Sequence, residues 1–223
     1  VGQWKRAWYY PKENENFSSA VNREVKATRD SLGILDASTL GKIDIQGRDV
    51  SEFLNRVYTN AWSKLEIGKC RYGVMLADDG MVIDDGVTTR LGKFHYIMST
   101  TTGNAASVMS KLEDWLQTEW PELEVYLTSV TEQYGTISLN GPNSRKLMEK
   151  LNSNYDFSKD NFPHMSFKNI NLCGTECRVM RISFTGELCY EINVPSGYAE
   201  NLWEICIDKG KEFNITPYGT EAM

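Results

Sequence analysis

The chain has 223 residues, 41% of them hydrophobic and 24% charged, which is enough apolar side chain to bury a core as one large domain or two small ones. Its 11 Tyr, 8 Phe and 6 Trp exclude a disordered or collagen-like composition. A net charge of −6, with the 24 Lys and Arg scattered rather than clustered, argues against a nucleic-acid partner.

No apolar run approaches the ~20 residues that span a bilayer. The start Val1-Gly2-Gln3-Trp4-Lys5-Arg6 has no hydrophobic targeting segment. The sequence reads as a soluble, cytoplasmic protein, with upstream residues expected before Val1. Five cysteines, Cys70, Cys173, Cys177, Cys189 and Cys206, suit reduced thiols better than a disulfide framework. Cys173 and Cys177 form a C-x3-C pair, but His95 and His164 are the only histidines, so no metal site is expected.

The first helix is predicted over Phe17 to Leu32, where Ala20, Val21, Glu24, Val25, Thr28 and Leu32 recur at helical spacing. Ser18 or Ser19 would cap its start and Gly33 would end it. Lys42 to Gln46 alternates as a half-buried strand, Gly47-Arg48 turns, and Asp49 can cap a helix carrying Val50, Phe53, Leu54 and Val57. A meander follows: Tyr72 to Ala77, an Asp78-Asp79-Gly80 turn, Met81 to Leu91, a Gly92-Lys93 turn, and Phe94 to Thr100. Gly103-Asn104 opens a helix with Val108, Leu112, Trp115 and Leu116 that Pro121 stops, and Val125 to Val130 reads as a strand. A second strand-turn-helix runs from Thr136 to Asn140 through Gly141-Pro142 to Leu147, Met148 and Leu151. It aligns with the first at a constant offset, as an internal duplication would. Strands over Cys177 to Ile182 and Tyr190 to Val194 and a helix from Gly197 to Lys209 complete the chain.

Hairpins between neighbouring strands predict an α+β protein with mixed and antiparallel sheets rather than a doubly wound parallel one. No dinucleotide fingerprint, P-loop, nucleophile elbow or zincin motif is present.

Two stretches carry more. Gly68-Lys69-Cys70-Arg71-Tyr72-Gly73-Val74-Met75-Leu76 leads through Gly80 to Ile83-Asp84-Asp85-Gly86, and Phe184-Thr185-Gly186-Glu187-Leu188-Cys189-Tyr190-Glu191-Ile192 ends in Val194-Pro195. They resemble the two signature regions of the glycine-cleavage T-protein family of aminomethyltransferases, and the resemblance runs over nearly the whole chain. Leu35 to Lys42, Phe53 to Asn60, Ser129 to Gln133, and Gln3-Trp4-Lys5-Arg6 before Trp8-Tyr9-Tyr10-Pro11 look like the C-terminal, folate-binding part of that family's sarcosine oxidase alpha-subunit branch.

The resemblance implies three domains around a tetrahydrofolate site. The first two are interleaved, residues 1–50 with 136–212 and residues 51–135 with 213–223, and the C-terminal barrel is missing. It implies that tetrahydrofolate is the cofactor, while flavin and NAD belong elsewhere in a complex of sarcosine oxidase subunits. Carbon from oxidised sarcosine would be trapped as 5,10-methylenetetrahydrofolate. The alternatives are a free glycine-cleavage-type aminomethyltransferase, or a folate-binding or assembly module without turnover.

Within the matched motifs, Asp85 aligns with the aspartate beside the folate nitrogens. A carboxylate suits a reaction in which formaldehyde and an amine condense through a cation, because it stabilises the charge or moves the proton. Asp84 alternates to the other face of a strand and is the lesser candidate. Glu191 aligns with the pterin anchor, where a carboxylate accepts an N–H and an amino group side by side. Glu187, four residues earlier, would share its strand face, and Tyr72 aligns with an aromatic near the folate. Many family members carry an asparagine after the Asp motif, where this chain reads Ser99-Thr100-Thr101-Thr102. The Thr101 hydroxyl is then the expected contact, with fewer hydrogen bonds than an amide.

Overall fold

The computed structural model describes Val1 and residues 4–223, so Gln3 of the N-terminal motif lies outside the described residues. In chain order the elements are α1 (Phe17–Asp30), β1 (Gly33–Asp36), β2 (Gly41–Gln46), α2 (Val50–Val57), β3 (Cys70–Leu76), β4 (Val82–Gly92), β5 (His95–Thr100), α3 (Ala105–Thr118), β6 (Tyr126–Ser129) and β7 (Tyr134–Asn140). They continue with α4 (Ser144–Leu151), β8 (Ser166–Leu172), β9 (Thr175–Arg181), β10 (Cys189–Pro195), α5 (Ala199–Gly210) and β11 (Thr216–Pro217). The α+β class is as the hairpin pattern predicts. Among the described residues both sheets are open, and no helix is long and apolar enough to cross a membrane.

The chain forms two compact units. One contains Val1 and Leu40–Thr131; the other contains residues 4–39 together with Glu132–Met223. These limits differ from the expected ones at 50, 135 and 212, for two reasons of strand pairing. β2 lies between β5 and β6, which draws residues 41–46 into the five-stranded unit. β11 pairs in parallel with β1, Gly33 opposite Thr216 and Ile34 opposite Pro217, which holds the C-terminal residues in the six-stranded unit.

The five-stranded sheet has the order β3-β4-β5-β2-β6 and is antiparallel throughout. Its core side gathers Ile43 and Ile45, Phe53 and Leu54 of α2, Tyr96 and Met98 of β5, and Val108 and Leu112 of α3. The six-stranded sheet has the order β11-β1-β7-β10-β9-β8, and only the β1–β11 pair is parallel. Ile137, Leu139, Tyr190, Ile192 and Val194 meet Leu147 and Met148 of α4 and Leu202 and Cys206 of α5 there.

The strand-turn-helix alignment of the sequence is also a repeat of backbone geometry at an offset of 94 residues. Gly47 and Gly141 both stand at positive φ, +135° and +118°, where L side chains are strained. A Cβ would come within 1.9 Å of Glu124 O at the first and 2.4 Å of Thr28 O at the second. Val50 N donates to Gly47 O and Ser144 N to Gly141 O, and Tyr58 N donates to Leu54 O as Asn152 N does to Met148 O. Asp49 precedes α2 without capping it; its Oδ2 instead accepts Glu124 N at 2.9 Å.

The cap of α1 is Asn16 rather than a serine, its Oδ1 accepting Ser19 N at 2.9 Å. Gly33 does not end the helix; it opens β1, where a Cβ would lie 2.3 Å from Thr28 Oγ1. Two turns inside α1, the fully buried Glu24 accepts Tyr10 N at 2.6 Å through Oε1 and Gly219 N at 2.9 Å through Oε2. A carboxylate out of water needs such partners, and these two tie the N-terminal strap and the last residues to one helix. Glu24→Gln sets an amide NH2 against one of the two N–H groups. Urea denaturation of the variant is expected to show a loss of about 2 kcal/mol, and an unchanged midpoint would mean that the clamp contributes nothing.

Candidate active site

β4 carries two consecutive aspartates, and strand geometry sends them to opposite faces. Asp84 is 2% exposed and turned toward the core side, whereas Asp85 is half-buried on the other face. The β3–β4 register sets Val74 opposite Asp85 and Tyr72 opposite Val87, so Tyr72 is the diagonal neighbour of Asp85. Its phenol donates to Asp85 Oδ2 at 2.7 Å. Tyr72 is 49% exposed, and its main-chain oxygen accepts the side-chain amide of Asn60. The hydrogen bond to Asp85, with smaller contributions from desolvation and the two aspartate charges, holds the Tyr72 phenol above its ordinary pKa.

Asp84 is fully occupied. Oδ1 accepts Thr101 Oγ1 at 2.5 Å and Asn104 Nδ2 at 3.2 Å, while Oδ2 accepts Thr101 N at 3.3 Å. Asn104 Nδ2 also donates to Ile83 O at 2.9 Å; Asn104 stands before α3 in a helical backbone conformation, φ −100° and ψ −3°, and makes no side-chain cap. The Thr101 hydroxyl has one proton, which is spent on Asp84, so toward any ligand it can only accept. Behind the strand, Tyr58 is 5% exposed, and burial first, then Asp84 and Asp85, push its phenol up. Tyr58 lies within the Phe53 to Asn60 stretch and Asn104 at the predicted helix start, but only the fold brings them to the aspartates.

In the six-stranded unit Glu191 sits on β10, opposite Ser138 of β7 and Met180 of β9. That face carries a buried polar network. Thr136 Oγ1 donates to Asn193 Oδ1 at 2.7 Å, and Asn140 Nδ2 donates to Ser138 Oγ at 2.9 Å and Tyr218 Oη at 2.6 Å. Ser138 Oγ lies 3.3 Å from Cys189 Sγ, whose thiol burial and then the Glu191 charge push up. Glu187 does not share the Glu191 strand, because β10 starts at Cys189. It lies in the preceding loop, paired with Arg29 Nη1 at 2.6 Å, a surface bridge worth ~0–1 kcal/mol.

Among the remaining thiols Cys177 and Cys206 are buried, whereas Cys173 is exposed. Burial pushes the Cys177 and Cys206 thiols up to about 12, which leaves them protonated and poor nucleophiles. His95 Nε2 lies 2.6 Å from Asp44 Oδ2 in the five-stranded unit. Among the described residues no group of three or more His, Cys, Asp or Glu could hold a metal ion.

Comparison with known proteins agrees with this architecture. The model of the GCVT N-terminal domain matches residues 1–223. The sarcosine oxidase subunit alpha of Corynebacterium sp. (strain U-96) is 57% identical over 224 residues, covering 100% of this chain and 23% of that protein. The chain therefore spans about a quarter of the length of that relative. An aminomethyltransferase of Chloroherpeton thalassium is 30% identical over 199 residues, 89% of this chain and 53% of the relative. The crystal structure of the glycine cleavage system aminomethyltransferase T from Bartonella henselae superposes with a TM-score of 0.81 at 22% identity, covering 98% of this chain and 54% of that one, a likeness of fold.

The Tyr72–Asp85 bond has a measurable signature. Removing the acceptor's charge in Asp85→Asn should lower the Tyr72 pKa toward the ordinary tyrosine value, since the bond favours the protonated phenol. Difference absorbance of the phenolate against Tyr72→Phe isolates this one ring. An identical titration in both backgrounds would show the bond to be absent in solution.

Proposed function

The chain belongs to the GCVT N-terminal domain family, and we propose that it is a tetrahydrofolate-binding, one-carbon-transfer domain of the sarcosine oxidase alpha-subunit kind. The single observation that carries this reading is the Tyr72–Asp85 pair, a carboxylate held by one oxygen on a half-exposed strand face. Among the described residues Asp85 Oδ1 has no hydrogen bond, so it is left to face a ligand.

Tetrahydrofolate supplies the amine nitrogens that take up the carbon. Asp85 stabilises the positive charge that develops as an amine condenses with formaldehyde, or moves the proton that the condensation releases. Tyr72 fixes which oxygen of Asp85 is presented. Glu191 accepts the paired N–H and amino groups of the pterin, a two-pronged, charge-assisted contact. Thr101 acts through Asp84 and Glu187 through the loop before β10.

The sarcosine oxidase kinship carries the further proposal that an amine-oxidising flavin site and an NAD site lie elsewhere in a complex with other subunits, and that the carbon leaves as 5,10-methylenetetrahydrofolate. The 30% identity to an aminomethyltransferase supports a second reading, a free transferase of the glycine-cleavage type. A pure binding module is the reading without turnover.

Titration with tetrahydrofolate followed by methylene transfer from formaldehyde separates these. Transfer above the buffer rate supports the enzyme, and binding alone supports the module. Asp85→Asn keeps the volume and removes the charge, so it should lower the transfer rate by ~10²-fold or more while changing folate affinity far less. A parent rate in this variant would remove Asp85 from the mechanism. Glu191→Gln should weaken folate by about 1.5–3 kcal/mol, read by calorimetry; unchanged affinity would place the pterin anchor on another residue.

A further inference from the structure

From the contacts of Asp84 we infer that it is a positioning residue for the Asp85 site: its buried carboxylate locks the loop after β5 to β4 and thereby fixes the strand on which Asp85 is presented. The inference rests on the proposed role of Asp85.

Three hydrogen bonds converge on a carboxylate that is 2% exposed, two from Thr101 and one from Asn104. A charge withdrawn from water is retained only if such donors satisfy it. All of them come from residues 101–104, a turn between β5 and α3, so one side chain joins two segments 17 residues apart in sequence. Asn104 adds a bond to Ile83 O, so the main chain is held on one side of the aspartate pair as well as through its side chain. Because Asp84 and Asp85 share a peptide unit, a rotation that released Asp84 would turn Asp85 away from Tyr72. Gly86, next on the Asp84 face, lets β4 pass close to β5, since a Cβ there would come within 1.9 Å of Ser99 O. Asp84 thus differs from a spare carboxylate pointing away from the chemistry, and Asp84→Asn is not a silent control for Asp85→Asn.

The role is distinguishable from simple fold support by where the loss falls. In the native protein, Asp84→Asn places an amide NH2 opposite Thr101 N–H, while Thr101→Val removes the hydroxyl donor and leaves Asp84 and the main-chain bond in place. Both are expected to lower the rate of methylene transfer from formaldehyde by about tenfold or more at saturating tetrahydrofolate, with folate Kd moved less than about threefold, because a small misplacement of a reacting group costs rate rather than binding. Thr101→Ser restores the donor and should return the rate to within about twofold of the parent, and the double variant Asp84→Asn/Thr101→Val should lose less than the product of the single losses. Should Asp84→Asn fail to fold, the Thr101→Val and Thr101→Ser pair carries the test alone.

Lower melting temperatures with parent rates in Asp84→Asn and Thr101→Val, while Asp85→Asn is inactive, would overturn the positioning role and leave the function of Asp85 standing. A parent rate in Asp85→Asn would instead overturn the role of Asp85 and the positioning role with it.

Discussion

The period of two along β4 is the constraint on which the site depends. Consecutive side chains of a strand cannot share a face, so an Asp-Asp pair in an extended segment is divided between two environments without further instruction. One carboxylate goes to the core side and must be fully hydrogen-bonded; the other emerges beside Tyr72 with one oxygen engaged. A slip of one residue in the β3–β4 register would exchange the two, sending the presented carboxylate inside. The register is set by Cys70 opposite Thr89 through Val74 opposite Asp85, with the irregularity deferred to Met75 and Leu76. The Asp78-Asp79-Gly80 turn absorbs the rest, Gly80 at φ +82° and Met81 N on Asp79 Oδ1.

A second device appears twice. In each unit an interior strand runs into a positive-φ glycine and then into a short amphipathic helix, β2-Gly47-α2 and β7-Gly141-α4. Each glycine is required by contact with another segment's carbonyl as well as by its φ, so the tight turn also sets how closely the helix returns over its own sheet. The buried faces, Val50, Phe53, Leu54 and Val57 against Leu147, Met148 and Leu151, follow the same spacing. Two units built on one plan both keep apolar sides under helices and carry a mixed opposite sheet face, polar side chains standing there beside apolar ones such as Ile97 and Met180. Asp85 and Glu191 each stand on such a face.

How much of this was legible depends on length and alternation. The meander, α3, α5 and both strand-turn-helix segments stand out because several residues repeat one period. β1 is four residues of which Gly33, Ile34 and Leu35 are all buried, so it has no alternation, and β11 is only Thr216–Pro217. Without those two, neither the parallel pair nor the true unit limits can be read. β8 is obscured because Lys168 and Asn169 are exposed in succession. The opposed faces of Asp84 and Asp85 were legible, since alternation needs no tertiary information. The Asp84–Thr101–Asn104 cluster was not, because its partners meet only after β4 and β5 have paired.

The threonine at position 101 gains its meaning from that cluster. An amide side chain there would offer two donor hydrogens and an acceptor, enough to satisfy Asp84 and still present a polar group elsewhere. A hydroxyl offers one proton, and the 2.5 Å contact commits it to Asp84 Oδ1. Asn104 then supplies the second side-chain donor, dividing its hydrogens between Asp84 and Ile83 O. What the hydroxyl cannot do for two partners is shared between Thr101 and Asn104, so the single proton of a threonine suffices at position 101 only because the fold brings an amide to the same carboxylate.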